Sequence, residues 1–251
     1  MTVGVLHPGA MGAAIGGVLV AAGHDVVWAS AGRSGATARR AADAGLRDVT
    51  DVRELARMSD VVLSICPPDA ARAVASSVAG ADGIFVDANA IAPHTAAEVA
   101  AIVGPGYVDG GIIGPPPSAP GTTRLYLAGA RAAAVAALFD GTPVDARVLR
   151  SSGQPTAASA LKMAYAAWTK GPAALLLAIE EVARTLEVAE ALHDEWALSQ
   201  PQLAERLEAA QAAAAGKAWR WKGEMREIAD TFEAAGQPGG FGCAAAEVYE
   251  R

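Results

Sequence analysis

Residues 2–29 read TVGVLHPGAMGAAIGGVLVAAGHDVVWA, and the order of residue types in this stretch decides the fold. Val3 to Leu6 is a short apolar run with β-branched residues. His7-Pro8-Gly9-Ala10-Met11-Gly12 then supplies turn chemistry, and helical composition returns from Ala13 to Ala22. Gly23 ends that helix and Asp25 to Ala29 reads as a second strand, which closes a βαβ unit. In such a unit the glycine turn brings backbone N–H groups to the helix N-terminus, where free amides and the helix dipole favour a pyrophosphate. The first position of a G-x-G-x-x-G pattern is His7, while Gly9 and Gly12 keep its second half. The alternative reading is a glycine turn that only packs a helix onto a sheet.

An NAD site usually ends its second strand with Asp or Glu on the ribose 2′-hydroxyl. Here the strand ends in Trp28-Ala29-Ser30, followed by Ala31-Gly32-Arg33-Ser34, with no acid to repel a 2′-phosphate. Ser30 and Ser34 can donate hydrogen bonds and Arg33 a charge-assisted one, so the expected cofactor is NADP(H). A solvated surface arginine is the plainer alternative.

The strand and helix alternation continues. Val61 to Ile65 is a buried-type strand stopped by Cys66-Pro67-Pro68, with Asp69 as N-cap of a helix through Val78. Ile84 to Asp87 is the next strand, leading through Ala88-Asn89 to a helix opened by Pro93. Tyr107 to Asp109, Arg124 to Ala128 and Ala146 to Leu149 read as strands, with a helix from Arg131 to Phe139. This predicts an α/β fold with a mostly parallel, doubly wound sheet. Its ligand loops are expected at the Gly9 turn, Cys66-Pro67-Pro68, Asn89 and the uncharged Gly110–Thr123 segment, where Gly111, Ile112, Ile113 and Gly114 would form a wall.

From Thr156 onward β-rich runs disappear and alanine-rich helical composition takes over. We therefore expect a cofactor domain over 1–152 and an all-helical domain over 153–251. The latter would begin with a long helix from Thr156 to Leu186, kinked at Gly171-Pro172. Helices are also expected over Pro201 to Ala215, Lys222 to Ala235 and Gly242 to Glu250. So many small side chains make a thick private core hard to build, which points to a homodimer through these helices. Lys162 is an isolated cation within the apolar stretch 157–167, with Tyr165 one turn away. It reads either as a general acid/base whose burial lowers its pKa or as a snorkelling lysine.

The 251-residue chain is 52% apolar and 19% charged, with net charge −7, so a core needs no disulfide or structural metal. No basic run exceeds Arg39-Arg40, which disfavours nucleic-acid and anionic-membrane partners. Cys66 and Cys243 have no metal-type spacing, so no metal is expected and a reducing cytoplasm is the default compartment. Met1 to Gly23 lacks charge but also lacks a basic n-region, and Pro8 and six glycines break it, so it reads as neither signal peptide nor membrane span. The histidines His24, His94 and His193 show no partner pattern and read as surface or capping residues.

The chain resembles the β-hydroxyacid dehydrogenase superfamily, which includes 6-phosphogluconate dehydrogenase and imine reductases, and in particular a branch with an uncharacterised C-terminal helical domain. The resemblance rests on residues 5–12, Asp87-Ala88-Asn89, Asp109-Gly110-Gly111-Ile112-Ile113-Gly114, Lys162 and Trp219-Arg220-Trp221-Lys222-Gly223-Glu224-Met225. It implies a Rossmann domain joined by a long helix to a dimerising helical domain, a cleft between them, and NAD(P)-dependent oxidation or reduction of a small substrate. The family's catalytic lysine falls on Lys162, and Lys222 falls near a second, substrate-side lysine. Ile113 replaces a serine that helps hold the substrate carboxylate, and Gly114-Pro115 stands in place of a Gly-Gly pair. Ala166 replaces an asparagine, which leaves Tyr165 as the candidate relay. Imine reductases commonly carry Asp or Tyr at the lysine position, so Lys162 favours a hydroxy acid or related alcohol/carbonyl pair. A cyclic imine, received by Ile112, Ile113, Tyr165 and Trp168, is the alternative. A non-catalytic NADPH-binding protein is a further one.

Overall fold

The apolar runs of the first half form the centre of one sheet in the computed structural model, which describes residues 1–150 and 154–250. Its strands are Thr2–Leu6 (β1), Asp25–Trp28 (β2), Arg47–Asp48 (β3), Val61–Ser64 (β4), Ile84–Asp87 (β5), Tyr107–Ile113 (β6), Thr123–Ala128 (β7) and Val144–Val148 (β8). They lie in the order β3-β2-β1-β4-β5-β6-β7-β8, with every neighbouring pair parallel except β6 and β7. The order reverses between β1 and β4, which is the switch point of a doubly wound sheet.

Alternate residues of each strand feed two cores. Val3, Val5, Leu63 and Val86 join one with Ile15 and Leu19 of Ala10–Ala21 (α1). Leu6, Val62 and Phe85 join the other, with Leu55 of Val52–Met58 (α3), Val74 of Ala71–Ser77 (α4) and Val99 of Pro93–Val103 (α5). Period-two side-chain alternation thus covers both faces with helices, and Ala132–Ala136 (α6) completes the first layer.

Several elements differ from the expectation. Gly35–Asp43 (α2), β3 and α3 were not anticipated, because they are short and polar and take their ends from caps instead of apolar runs. Ser34 accepts from the Thr37 N–H at 3.2 Å, and Asp51 accepts from Arg53 and Glu54 at 2.8 and 3.2 Å. The helix expected to start at Asp69 begins with a 3₁₀ turn at Pro68–Ala70. The segment read as loop from Gly110 becomes loop only at Gly114, since Gly110–Ile113 complete β6 and pair with β7.

The chain divides into two compact units, Met1–Lys162 and the residues from Met163 onward. The boundary expected at 152/153 falls on Ser151–Gly153, outside the described residues. Ala157–Thr185 (α7) is one helix that runs through Pro172. Ala189–Ser199 (α8) was not anticipated, and the two helices expected over 201–215 and 222–235 are one, Leu203–Ala234 (α9). The gap expected between Ala215 and Lys222 is helical: glycine at 216 costs about 1 kcal/mol, and the alanines before it offset that cost. Gly240–Val248 (α10) closes the chain against α9. Among the described residues no helix is long and apolar enough to cross a membrane.

Candidate functional site

The C-terminal ends of β1, β4 and β5 lie side by side, with Leu6 opposite Ser64 and Ser64 opposite Asp87. The loops that leave them are therefore brought together. His7 takes a left-handed backbone, φ 60°, at the position where the dinucleotide pattern has glycine. The turn is thus kept by a residue type that tolerates this region, which is why the sequence pattern is incomplete while the geometry is not. The His7 carbonyl accepts from the Gly9 N–H at 2.6 Å, and α1 starts with no side-chain cap and no acid in its first turn. A Cβ on Gly9 would find nothing nearer than the His7 carbonyl at 4.0 Å, whereas one on Gly12 would press that carbonyl at 3.3 Å. The open backbone at Gly9 suits a bound pyrophosphate, and Gly12 lets the helix sit close to the strand.

A basic cluster stands beside this turn. Arg33 donates to His7 Nδ1, which fixes that nitrogen as an acceptor. Arg40, which sequence reasoning missed, reaches the Pro8 carbonyl through Nε at 3.5 Å and the Thr37 hydroxyl through Nη2 at 3.1 Å. Ser34 and Thr37 hydroxyls are 3.1 Å apart. Two guanidinium groups and two hydroxyls therefore surround the end of β2, a donor set matched to a phosphate monoester. Arg40 sits seven residues beyond Arg33, and only the capped helix α2 brings them together.

The expectation that no acid stands at the end of β2 needs correction. Asp48 of β3 accepts from the Ser30 N–H at 3.2 Å, from Thr50 N–H at 2.7 Å and from the Ser30 hydroxyl. It comes from the neighbouring strand, so the local sequence could not reveal it. Ser30 is engaged with this carboxylate, and the cationic side of the cluster is carried by Arg33 and Arg40.

The loops after β4 and β5 are fastened to each other. Asn89 Oδ1 accepts from Cys66 N–H at 2.6 Å, Asn89 Nδ2 donates to the Ser64 hydroxyl at 3.1 Å, and Asn89 N–H donates to Asp87 Oδ1 at 3.0 Å. Asn89 is buried, so its role in the structure is to tie two strand ends. Burial pushes the Cys66 thiol up to about 12, which leaves it protonated and unreactive at neutral pH. Pro67 and Pro68 continue this loop into the 3₁₀ turn.

On the far side of β5, β6 holds the first turns of α7. Asp109 accepts from Ser159 N–H at 2.9 Å and from the Ser159 hydroxyl at 2.5 Å, and so satisfies donors that begin the helix. Lys162 Nζ donates to the Ile112 carbonyl at 2.8 Å. A Cβ on Gly111 would lie 2.8 Å from the Ala158 carbonyl and 3.2 Å from Lys162 Cβ, so only glycine lets helix and strand approach this closely. Gly111→Ala is expected to lower stability by about 1–3 kcal/mol, read by urea unfolding; an unchanged midpoint would mean that α7 shifts freely. Ile112 and Ile113 are buried.

Buried Asp109 and half-buried His7 give this unit opposing pH dependences. Burial, against the hydrogen bonds from Ser159, pushes Asp109 up to about 6 from 3.8. The folded state therefore holds this proton more tightly than the unfolded state, and its contribution to stability falls as pH rises from about 4 to about 6. Burial first, then Arg33, brings His7 down to about 4 from 6.5, so its contribution is lost as pH falls through the same window. Asp109→Asn is expected to leave the His7 slope exposed, with stability dropping between pH 6 and 4 more steeply than in the parent chain. Urea midpoints across that range would read it, and parallel curves would refute it.

The remaining expected residues lie in the helical unit. Tyr165 is half exposed, Trp168 is 73% exposed, and Lys222 pairs with Glu250. Glu250 also lies 3.6 Å from Arg226. His193, read as partnerless, pairs with Glu180 at 2.8 Å and stacks on Trp196. Sequence reasoning also missed a buried ion pair between Lys170 and Glu224, with Tyr249 donating to the Lys170 carbonyl at 2.7 Å. Among the described residues no cluster of three or more His, Cys, Asp or Glu could hold a metal.

Fold and loops together define a Rossmann-type dinucleotide-fold domain followed by a helical region. The comparisons agree: residues 2–91 match the family model "NADP oxidoreductase coenzyme F420-dependent", and residues 183–251 match a domain of unknown function, DUF1932. Over its full length the chain is similar to the conserved protein MTH1747, of unknown function and described as structurally similar to 3-hydroxyacid dehydrogenases. The identity is 25%, the TM-score 0.71 and the coverage 96% of that chain. The fold is shared with 3-hydroxyisobutyrate dehydrogenase from Salmonella typhimurium, at 17% identity and TM-score 0.73 over 100% of this chain and 93% of that one. It is also shared with a reductive aminase from Aspergillus terreus in complex with NADPH, cyclohexanone and allyl amine, at 17% identity and TM-score 0.61 over 100% and 92%. No curated protein matches in sequence.

Proposed function

We propose that this protein is an NADP(H)-dependent oxidoreductase acting on a small hydroxy acid or related alcohol/carbonyl pair, with Lys162 as acid/base. The observation that carries the reading is the position of Lys162, whose ammonium is held on the Ile112 carbonyl near the C-terminal end of β6. The parallel strands β1, β4, β5 and β6 span about 14 Å at 4.7–4.9 Å per step. A phosphate-binding end beside β1 and β2 and a proton donor beside β6 are thus laid along one edge of the sheet, where ligands of such folds bind.

In this reading residues 1–152 form the cofactor domain and 153–251 the substrate and dimerisation domain. His7 to Gly12 would receive the pyrophosphate, Arg33, Arg40, Ser34 and Thr37 the 2′-phosphate, and the Cys66–Pro68 and Asn89 loops the middle of the dinucleotide. When bound, the nicotinamide supplies or takes up a hydride. Lys162 protonates the substrate oxygen during reduction and removes the hydroxyl proton during oxidation, while the Ile112 carbonyl keeps Nζ in place through both states. Tyr165, one turn along the same helix, is the proposed relay. The exposed apolar side chains Val182, Leu186, Val188 and Leu198 support the homodimer. The expected setting is the cytoplasm.

Parallel titration with NADPH and NADH, followed by tryptophan emission, tests the cofactor reading. NADPH is expected to bind at least tenfold more tightly. Arg33→Gln with Arg40→Gln should weaken NADPH by roughly 10–100-fold and leave NADH nearly unchanged, as expected for loss of charge-assisted bonds. Equal affinities in the parent chain would remove the 2′-phosphate assignment.

A further inference from the structure

We propose that the groove between α7 and α9 is a binding site for an amphipathic organic anion, with its apolar body against Trp168 and Trp221 and its carboxylate on Arg206. The groove has a volume of about 550 Å³, within the 300–1,000 Å³ typical of small-molecule sites, and lies wholly inside the helical unit. Alanines at 173, 209, 210 and 213 keep the two helices from closing into a packed seam, so the space follows directly from the sequence.

Its lining selects a ligand type. Arg206 is the one charged side chain among the groove's lining residues, none of which carries a carboxylate. This is unusual in a region where acids clearly outnumber bases from residue 163 onward. Glu180 of α7, next in sequence to the lining residue Ile179, is engaged with His193. The rest of the wall is almost entirely apolar and includes two indoles, which offer large flat surface at small entropic cost. Pro172, also in the wall, adds the apolar face of its ring to the groove. A planar guanidinium at the rim of an apolar trough matches a carboxylate bidentately while the hydrocarbon part fills the trough. The plainer alternative is an arginine whose stem covers the alanines and whose head is solvated. That alternative gives no preference between an acid and its amide.

The inference stands on the helical unit alone and survives failure of the oxidoreductase reading. Calorimetry of the full chain without NADPH would compare octanoate with octanamide and 3-phenylpropanoate with 3-phenylpropanamide. At least tenfold tighter binding of each carboxylate is expected, with the preference abolished in Arg206→Gln and both acid and amide weakened in Trp168→Ala. Melting curves would confirm that the variants fold. Equal binding of acid and amide, or no binding, would overturn the proposal. It would also fail if sedimentation showed self-association that Arg206→Glu disrupts while no carboxylate binds, because a second copy would then occupy the groove.

Discussion

A Lys162→Ala variant is expected to turn over an alcohol or carbonyl substrate about 10²–10⁴-fold more slowly than the parent chain, the usual worth of a positioned general acid or base. NADPH affinity should change little, because the residues proposed to hold the cofactor lie at the ends of β1, β2, β4 and β5, whereas Lys162 is fastened to β6. Lys162→Arg separates proton transfer from charge: guanidinium keeps the positive charge but does not release a proton near neutral pH. If arginine restores most of the rate, the side chain only polarises the substrate. Should both variants keep the parent rate, the acid/base assignment is wrong and another group moves the proton; NADPH binding with no turnover in the parent chain itself would favour the non-catalytic reading. Comparing ketones with cyclic imines in the same assay decides between the two substrate classes. Loss of ketone but not imine reduction would place imine chemistry ahead.

The first βαβ unit was legible because its signals are local: β-branched runs, a Pro-Gly turn and alanine-rich helix within residues 2–29. Lys162 stood out as a lone cation in an apolar helical stretch, and the structure hydrogen-bonds its ammonium to the Ile112 carbonyl. What the sequence hid depends on contacts between distant segments. Asp48 reaches Ser30 only because β3 pairs with β2, and Arg40 reaches Pro8 only because α2 folds over the turn. Gly110–Ile113 read as loop from their glycines, yet β7 supplies the antiparallel partner that makes them strand. Helix α9 hid for the opposite reason: its many alanines carry strong propensity but weak periodicity, so the pattern alone left a gap between Ala215 and Lys222.

The second large effect expected is on stability, at Lys170 and Glu224. Both side chains are about nine-tenths buried and each is the other's partner, so Glu224→Leu or Lys170→Met leaves a charge in the core with no counterion. Breaking such a pair from one side costs about 3–5 kcal/mol. Replacing both, as in Lys170→Met with Glu224→Leu, removes the stranded charge and is expected to recover most of the loss. Urea unfolding of the four species forms a double-mutant cycle that isolates the coupling. Single losses below about 1 kcal/mol would show that water relaxes the site and that the pair contributes little. The pair joins α7 to α9, and the Tyr249 hydroxyl just past α10 donates to the Lys170 carbonyl while its ring meets Trp221 edge-on at 5.1 Å. Alanine-rich helices slide and rotate against each other at little cost, since few side chains interlock. A directional pair buried among them fixes one register. The double replacement is therefore expected to unfold less cooperatively, with a lower m-value than the parent chain, even where its midpoint recovers.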